Sequence, residues 1–212
     1  MIKVLITDDH PVVRRGIRQI LEDTDRISLV EEAANGKELI QKLNENKFDV
    51  ILLDISLPGR SGLELISEIK KIQKSAGIIM LSIHSEEIYA LKALKLGASG
   101  YLPKKSAPEE LVTAIVKVSK GGRYISASVA DKLTENLLSG SEKPLHHTLS
   151  ARELEVLTHF AAGKTVIQVA EELSLSPKTI STYRERLLEK LKLKTTADLI
   201  RYSILEELKG EQ

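Results

Sequence analysis

The sequence predicts two domains of different fold class: an α/β domain built on a doubly wound parallel sheet, then an all-α domain with four helices and a helix-turn-helix. In residues 1–120, short apolar runs alternate with amphipathic segments, which is the pattern of repeated strand–helix units. Residues 121–147 begin with two glycines and become rich in polar residues, which indicates a linker with one short helix at about 127–138. Residues 148–212 contain only helical patterns, so we assign them to the second domain.

Five strand–helix pairs are predicted in the first domain. Their apolar runs are nearly continuous, which is typical of parallel strands that helices cover on both faces. The predicted strands are "IKVLIT", "ISLVEEA", "DVILLD", "GIIMLS" and "GYL", and the helices that follow them are Pro11–Leu21, Lys37–Asn44, Ser61–Ile72, Glu86–Leu96 and Pro108–Lys120.

The second domain shows clear helix-start signals. Ser150 and Glu153 have the spacing of a capping box at the start of "ARELEVLTHFAA". Ser176 and Pro177 mark the start of the third helix, "KTISTYRERLLEKL". The second helix, "VIQVAEELS", is joined to the third by about three residues, which is the connection of a helix-turn-helix. The fourth helix is predicted from Thr196 to Leu208.

Composition excludes several classes of protein. The chain has 212 residues, no cysteine and a net charge of +1, from 31 basic and 30 acidic residues. Without cysteine there are no disulfides and no zinc sites of the cysteine type. Two aspartates among the first ten residues come too early for a signal peptide, and no apolar run reaches the ~18 residues of a membrane span. We therefore expect a cytoplasmic protein without a membrane partner.

Asp54 ends the apolar run 50–53, which has the pattern of a fully buried strand. A buried carboxylate is costly unless a partner uses it. Asp8 and Asp9 end the first predicted strand, and the carboxyl ends of neighbouring strands share one crevice in a doubly wound sheet. A hard divalent cation such as Mg²⁺ would relieve the repulsion among these carboxylates. Taken singly, Asp8 or Asp9 is also explained as a cap of the helix at Pro11.

Ser82 and Lys104 extend this set, because they end or follow the fourth and fifth predicted strands. Carboxylates, a hydroxyl and an ammonium around a metal ion make a phosphoryl-transfer site in which Asp54 is the nucleophile. The segment "DDHPVVRRG" after the first strand has neither a dinucleotide-binding pattern nor a P-loop, which disfavours nucleotide binding. Each side chain is ordinary alone, and only their joint position at strand ends indicates a site.

The third helix of the second domain has a local excess of positive charge, since residues 176–194 contain six basic and two acidic side chains. Such an excess indicates contact with nucleic acid, but a solvated helix face has the same composition. Ile180, Leu187 and Leu191 recur on one face and are expected in the core. The candidates for base contacts are Ser181, Thr182 and Glu185, and those for phosphate contacts are Lys178, Arg186 and Lys190, with Thr179 beside them.

These motifs resemble a known family. Residues 1–120 resemble the receiver domain of two-component response regulators in "DDH", "LLDISLPGRSG", "MLSIH" and "GYLPKK". Residues 148–208 resemble the LuxR-type helix-turn-helix in "LSARELEVL", "AAGKT", "VAEELSLSPKTIS" and "LLEKLKL". Together they resemble a response regulator of the NarL/FixJ type. The resemblance implies a five-stranded receiver sheet of order 2-1-3-4-5 and a sensor histidine kinase as partner.

The resemblance also implies roles around the metal ion. Asp54 would accept a phosphoryl group from a phosphohistidine of the kinase. Asp9, Asp54 and the backbone carbonyl of Ser56 would hold Mg²⁺, and Asp8 would bind it directly or through water. The receiver would catalyse only its own phosphorylation and slow dephosphorylation, so the protein would not be an enzyme in the usual sense.

The remaining implied roles concern the response to phosphorylation. Lys104 would pair with the phosphoryl oxygens, Ser82 would hydrogen-bond to one of them, and Tyr101 would be the aromatic residue that repositions. In the DNA-binding part, the sequence departs from the family, because Ser181 and Tyr183 stand where LuxR-type helices usually have Lys and His. Phosphate contacts dominate affinity, so this departure bears on sequence preference more than on DNA binding itself.

The expected partners are double-stranded DNA, RNA polymerase and, on activation, a second copy of the chain. The resemblance implies that the unphosphorylated receiver covers the recognition helix, which the linker at 121–147 would permit. Apolar residues of the fourth helix recur at helical spacing, so they offer a dimer surface unless they all pack inside the domain. These residues are Ala197, Ile200, Ile204 and Leu208.

Two other functions remain open from the residues alone. A phosphoaspartyl phosphatase also places an aspartate at a strand end, but that family shows D-x-D after its first strand. Here Asp54 follows a later strand and position 56 is a serine. A DNA-binding protein whose receiver never phosphorylates is the other alternative, and the presence of Asp8, Asp9 and Lys104 argues against it.

Overall fold

The computed structural model describes residues 1–82, 86–106, 108–126, 130, 134 and 145–205. In the first domain a parallel sheet alternates with helices. The strands are β1 (Ile2–Thr7), β2 (Ile27–Ala33), β3 (Val50–Asp54), β4 (Gly77–Ser82), β5 (Gly100–Pro103) and β6 (Tyr124–Ile125), and the helices are α1 (Pro11–Glu22), α2 (Gly36–Glu45), α3 (Gly62–Ile72), α4 (Glu86–Leu96) and α5 (Pro108–Ser119).

The strand order is β2-β1-β3-β4-β5-β6, which confirms the predicted order 2-1-3-4-5 and adds a sixth strand at the edge. The prediction of five strands was therefore one short. β6 pairs with β5 in parallel, with Tyr124 opposite Gly100, inside the segment 121–147 that the sequence predicts to be a linker. Two residues are too few to produce an alternation in the sequence. The short helix predicted at 127–138 lies largely outside the described residues.

The sheet is covered on both faces, which explains the continuous apolar runs. Along β3, Ile51 and Leu53 belong to the buried cluster on one face. Val50 and Leu52 belong to the cluster on the other face, and all four are 0% exposed. Successive strand residues point to opposite faces, so an apolar strand between two helical layers leaves polar positions only at its ends.

The second domain is helical, as predicted. Its helices are α6 (Ala151–Ala161), α7 (Val166–Glu172), α8 (Pro177–Lys190) and α9 (Thr196–Leu205), and a 3₁₀ turn at Leu145–Thr148 precedes them. The predicted capping box is present, because the Ser150 side chain accepts from the Glu153 amide while the Glu153 carboxylate accepts from the Ser150 amide. The predicted end of the fourth helix, Leu208, lies outside the described residues.

The two domains share a buried interface. One apolar cluster contains Leu57 and Tyr89 of the first domain together with Leu154 and Leu173 of the second. The Gly59 amide donates to the Leu173 carbonyl over 3.3 Å. The loop after β3 and helix α4 therefore pack on α6 and the end of α7. Across the described part of the chain, no helix has the length and apolar character that crossing a membrane requires.

Candidate phosphoacceptor site and nucleic-acid interface

The predicted carboxylates meet at the carboxyl edge of the sheet. β1 and β3 are neighbours in parallel register, with Thr7 opposite Leu53, so the residues that follow them lie side by side. Ligand atoms of Asp8, Asp9 and Asp54 lie within 4.8 Å of one another. Asp8 and Asp54 are buried, whereas the Asp9 side chain is 32% exposed. Hard oxygen donors in this arrangement fit a cation such as Mg²⁺.

Lys104 joins two of these carboxylates. Its Nζ atom lies 2.7 Å from Asp8 Oδ2 and 2.7 Å from Asp54 Oδ2. The Lys104 amide donates to the Ser82 carbonyl over 2.8 Å, which fixes the segment after β5 against the end of β4. The lysine is therefore held by its backbone as well as by its charge.

The electrostatics of the site are those of a crowded, desolvated cluster. Burial, the largest cause, and the nearby Asp8 charge together raise the pKa of Asp54 to about 7, although Lys104 and the Ser56 amide oppose the shift. Burial lowers the pKa of Lys104, but attraction to Asp54 and Asp8 more than offsets this, so its pKa is raised overall. One ammonium thus balances two buried carboxylates, and a bound divalent cation would supply the remaining positive charge.

The other predicted residues lie in the loop after β3 and on the next two strands of the sheet, β4 and β5. The Ser56 amide donates to Asp54 Oδ1 over 3.2 Å, so the residue expected to offer its carbonyl to the metal already contacts the acceptor. Ser82 is buried at the end of β4, one residue beyond Leu81, the register partner of Asp54. Tyr101 is fully buried.

His10 was not predicted as part of this site. Its Nδ1 atom lies 2.7 Å from Asp9 Oδ1, and the ring belongs to the group of side chains whose ligand atoms converge with those of Asp54. The signal was present in "DDH", where the histidine directly follows two aspartates. The apolar pattern of a strand gives no information about a residue in the following loop. The sequence argument therefore includes Asp8 and Asp9 at the end of β1 but not His10.

The recognition helix α8 separates a buried face from an exposed one. Ile180 and Leu187 are 0% exposed, as the helical pattern predicted. Ser176 caps the helix by accepting from the Thr179 amide over 3.1 Å. Of the predicted DNA contacts, Lys178, Thr182, Glu185, Arg186 and Lys190 are exposed, and Thr179 and Ser181 are half-buried.

A shallow groove of about 300 Å³ runs along this exposed face. The Arg186 guanidinium lies 6.0 Å from the centre of the Tyr183 ring, so the tyrosine at the family's usual histidine position supports an arginine. The groove is lined by Ser176, Lys178, Thr179, Thr182, Tyr183 and Arg186.

The structure bears on two sequence-based expectations about α8. Lys190, predicted to contact phosphate, has its Nζ atom 2.7 Å from Glu153 Oε2, so its ammonium is engaged at the start of α6. Phosphate contact by Lys190 stays a prediction and would compete with this ion pair. The expectation that the first domain covers the recognition helix is wrong for this structure, because Lys178, Thr182 and Arg186 are exposed. The first domain packs on α6 and α7 instead.

Comparison with known proteins identifies both domains. The family model of the response regulator receiver domain matches residues 4–116, and that of the luxR family of bacterial regulatory proteins matches residues 147–203. The chain is 39% identical over 206 residues to the response regulator UvrY of Escherichia coli strain K12, covering 96% of this chain and 94% of UvrY. It is 35% identical over 204 residues to the response regulator GacA of Pseudomonas aeruginosa, covering 94% of each chain.

A solved structure aligns with nearly the whole chain. RcsB from Salmonella enterica serovar Typhimurium, bound to promoter rprA in the presence of phosphomimetic BeF3−, aligns with a TM-score of 0.66 and 30% identity. The alignment covers 95% of this chain and 97% of that chain.

The fold and the site define a two-component response regulator, in which a receiver domain precedes a DNA-binding domain. The chain belongs to the NarL/FixJ family of these regulators, with the LuxR-type helix-turn-helix. Its class of activity is DNA-binding regulation of transcription, with phosphorylation-dependent activation as the general mechanism of the family.

Proposed function

We propose that Asp54 accepts a phosphoryl group from a phosphohistidine of a sensor histidine kinase. A carboxylate oxygen of Asp54 forms a bond to phosphorus while the bond from phosphorus to the histidine nitrogen breaks. The observation that carries the proposal is the Lys104 ammonium, 2.7 Å from both Asp8 and Asp54 at the edge of the sheet. In this position Lys104 can pair with the oxygens of the transferred group.

Asp9, Asp54 and the Ser56 carbonyl would hold Mg²⁺, with Asp8 bound directly or through water. The ion would neutralise charge on the phosphoryl oxygens during transfer. The donor set supports this assignment, since three carboxylates converge and, among the described ion pairs, a single ammonium, that of Lys104, contacts them. The receiver would catalyse its own phosphorylation and slow dephosphorylation.

Phosphorylation would promote dimerisation, and the dimer would bind operator DNA through its two recognition helices. Tyr101 and Ser82, both buried, would transmit the new charge to the surface of the receiver. The fourth helix supports the dimer surface, because Ile204 is 46% exposed and Ala197 is also exposed, whereas Leu199 is buried in the domain. Leu208, the last residue of the predicted surface, lies outside the described residues.

Partners follow from the same proposal. RcsB is bound to promoter DNA in one aligned structure, and another contains two RcsB dimers bound to two parallel DNAs. By analogy we assign double-stranded DNA and a second copy of the chain as partners, and RNA polymerase as the partner of the DNA-bound dimer.

The test is phosphorylation by acetyl phosphate with Mg²⁺. Asp54→Asn keeps the shape of the side chain but removes the nucleophilic carboxylate, so acid-labile phosphate incorporation should be abolished. Asp25→Asn is the matched control, because Asp25 is exposed and remote from the sheet edge where the carboxylates meet. Full incorporation in Asp54→Asn would contradict the assignment. Repeated turnover of an aryl phosphate, in place of a single stoichiometric burst, would favour the phosphoaspartyl phosphatase.

A further inference from the structure

The groove on the exposed face of α8 is lined by cations and hydroxyl groups. Its volume is about 300 Å³, and the side chains that line it belong to Ser176, Lys178, Thr179, Thr182, Tyr183 and Arg186. Two of these side chains are positively charged and none is acidic, although Glu185 and Glu189 are exposed on the same helix. The groove therefore suits an anion such as a phosphate group of DNA.

Arg186 is placed in this groove by a neighbour on the same helix. Residues three apart in an α-helix lie side by side on its surface, and this is the spacing of Tyr183 and Arg186. The Cζ atom of Arg186 lies 6.0 Å from the centre of the Tyr183 ring, which is the distance of a cation–π contact. Such a contact uses the charge of the guanidinium but none of its five N–H donors, so the donors stay available for an anion.

An alternative partner for Arg186 is present on α8 but is not used. Glu189 lies three residues after Arg186, a spacing at which opposite charges pair on a helix surface. Within the described ranges, neither of these two side chains takes part in an ion pair or a hydrogen bond. Lys190, by contrast, is engaged by Glu153, with its Nζ atom 2.7 Å from Oε2. The Arg186 charge is therefore held by a neutral ring and is not cancelled by a carboxylate.

The Tyr183 ring is a fixed support for this charge. Tyr183 is half-buried and packs against the apolar cluster that contains Ile180 and Leu187 of the same helix. Arg186 is exposed, and a long exposed side chain loses rotamer freedom when it binds a ligand. A contact that already restricts the guanidinium in the free protein lowers this entropic cost. The ring and the guanidinium together therefore form a preorganised contact for an anion.

We propose that Tyr183 is a positioning residue for Arg186, and that the two side chains together bind one backbone phosphate of DNA in the groove of α8. The proposal rests on DNA binding through α8 and on the predicted phosphate contact of Arg186. Tyr183 orients the guanidinium towards the groove, and Arg186 donates to the phosphate oxygens. The side chain at position 183 thereby affects the affinity for DNA of any sequence, because a phosphate contact carries no base information.

Two other roles of Tyr183 lead to different expectations. A tyrosine that contacted a base edge would change the preference between DNA sequences and would act without Arg186. A tyrosine that only packed against the core would weaken DNA binding by lowering stability, whether or not Arg186 is present. A positioning role requires that the effect of Tyr183 disappear when Arg186 is absent.

The experiment measures the affinity of the full chain for a fluorescein-labelled DNA duplex of mixed sequence, by fluorescence anisotropy at several salt concentrations. Tyr183→Leu keeps an apolar side chain against the core but removes the aromatic face. Its affinity should fall by about two- to fivefold, which is the strength of a cation–π contact at an exposed site. Tyr183→Phe keeps the ring and should restore the affinity that Tyr183→Leu loses. Arg186→Ala should reduce the slope of log affinity against log salt concentration by about 0.9 for each bound chain.

Double variants identify the residue through which Tyr183 acts. In Tyr183→Leu/Arg186→Ala the affinity should equal that of Arg186→Ala alone, whereas in Tyr183→Leu/Lys178→Ala the two losses should multiply. Lys178 is the matched control, because it lines the same groove but has no aromatic partner among the described residues. A further loss in the Arg186→Ala background, or wild-type affinity in Tyr183→Leu, would overturn the proposal.

Failure of the positioning role is distinguishable from failure of DNA binding. Full affinity in Arg186→Ala would overturn the proposal alone, because the phosphate contact would then not involve Arg186. Absence of binding by the wild type at the lowest salt concentration would refute DNA binding through α8 and the proposal with it. Should Tyr183→Leu fail to fold by circular dichroism, Tyr183→Met, which is unbranched and favours helices, replaces it in the same comparisons.

Discussion

Replacing Lys104 by methionine tests the electrostatic structure of the acceptor site. The substitution keeps most of the apolar stem of the side chain and removes the ammonium that lies 2.7 Å from both Asp8 and Asp54. Those two carboxylates are 0% and 2% exposed, so water cannot replace the lost cation. Two buried negative charges are then left without a partner.

The expected magnitude follows from these contacts. At an effective dielectric constant of about 20, opposite charges about 4 Å apart attract by about 4 kcal/mol, and Lys104 makes two such interactions. Desolvation of the ammonium cancels several kcal/mol of that sum. We expect Lys104→Met to lower the free energy of unfolding of the receiver domain by about 3–5 kcal/mol at pH 8.

The loss should depend on pH in a defined direction. Burial already raises the pKa of Asp54 to about 7, and removal of Lys104 should raise it further, whereas the unfolded value is near 4. Between these values the folded state binds more protons than the unfolded state, so the stability of the variant falls as the pH rises. The deficit relative to the wild type should be largest at pH 8 and should shrink at pH 5, where Asp54 is protonated.

Urea unfolding followed by circular dichroism, at pH 5, 6, 7 and 8, measures both effects. Added Mg²⁺ should stabilise Lys104→Met more than the wild type, because a cation at the carboxylates replaces the missing charge. Lys71→Met is the control, since Lys71 is exposed on α3 and its loss should change stability by no more than about 0.5 kcal/mol. A deficit below about 1 kcal/mol at pH 8, or one independent of pH, would refute the reasoning.

The remaining predictions concern the DNA-binding domain. Lys178→Ala should weaken binding to all DNA sequences alike. In a twofold dimer it should also reduce the slope of log affinity against log salt concentration by about 1.8, because each of the two lost phosphate contacts contributes about 0.9. Thr182→Ala should instead alter the preference between sites; fluorescence anisotropy at several salt concentrations measures both, and a salt-independent affinity would contradict the phosphate contacts. Ile204→Glu should keep the chain monomeric in beryllofluoride by analytical sedimentation, and an undisturbed dimer would remove α9 from the interface. Burial, aided by the Lys164 charge, lowers the pKa of His159 to about 4. The unfolded histidine therefore binds more protons below pH ~6.5, and stability should fall by about 3 kcal/mol between pH 6.5 and 4. His159→Gln should abolish that dependence in urea unfolding, and an unchanged slope would mean that another group titrates.

The positions of the acceptor-site residues could be predicted from the sequence, because the ends of buried strands are recognisable in it. In a parallel sheet covered on both faces, a strand such as β3 is apolar until it leaves the core, so Asp54 stands out after Leu53. All strands of the sheet end at the same edge, which places Asp8, Asp54 and Lys104 together without knowledge of any loop. The assignment of roles to these residues stays a prediction, whereas their proximity is a property of the fold.

The interface between the two domains could not be predicted from the sequence. Gly59 and Leu173, whose backbone groups bond to each other across the interface, are distant in sequence, and no local pattern links them. Within α6, the helical period marks apolar residues as core, so Arg152 and Glu155 look like solvated positions although both are buried. The same limit applies to Lys190, whose position on the helix predicts a phosphate contact although its ion-pair partner Glu153 lies in another helix. Long-range pairing of charges leaves no signal in a single sequence.

The position of the interface bears on how the regulator is controlled. The face of α8 that carries Lys178, Thr182 and Arg186 is exposed, while the receiver is bound to α6 and to the end of α7. Control by simple covering of the recognition helix therefore does not describe this arrangement. Two recognition helices of a dimer must lie about one turn of DNA, roughly 34 Å, apart to read successive major grooves. Because the receiver is bound to α6, it limits the positions that each DNA-binding domain can take in a dimer. It can therefore prevent this spacing of the recognition helices without contacting the DNA-binding face.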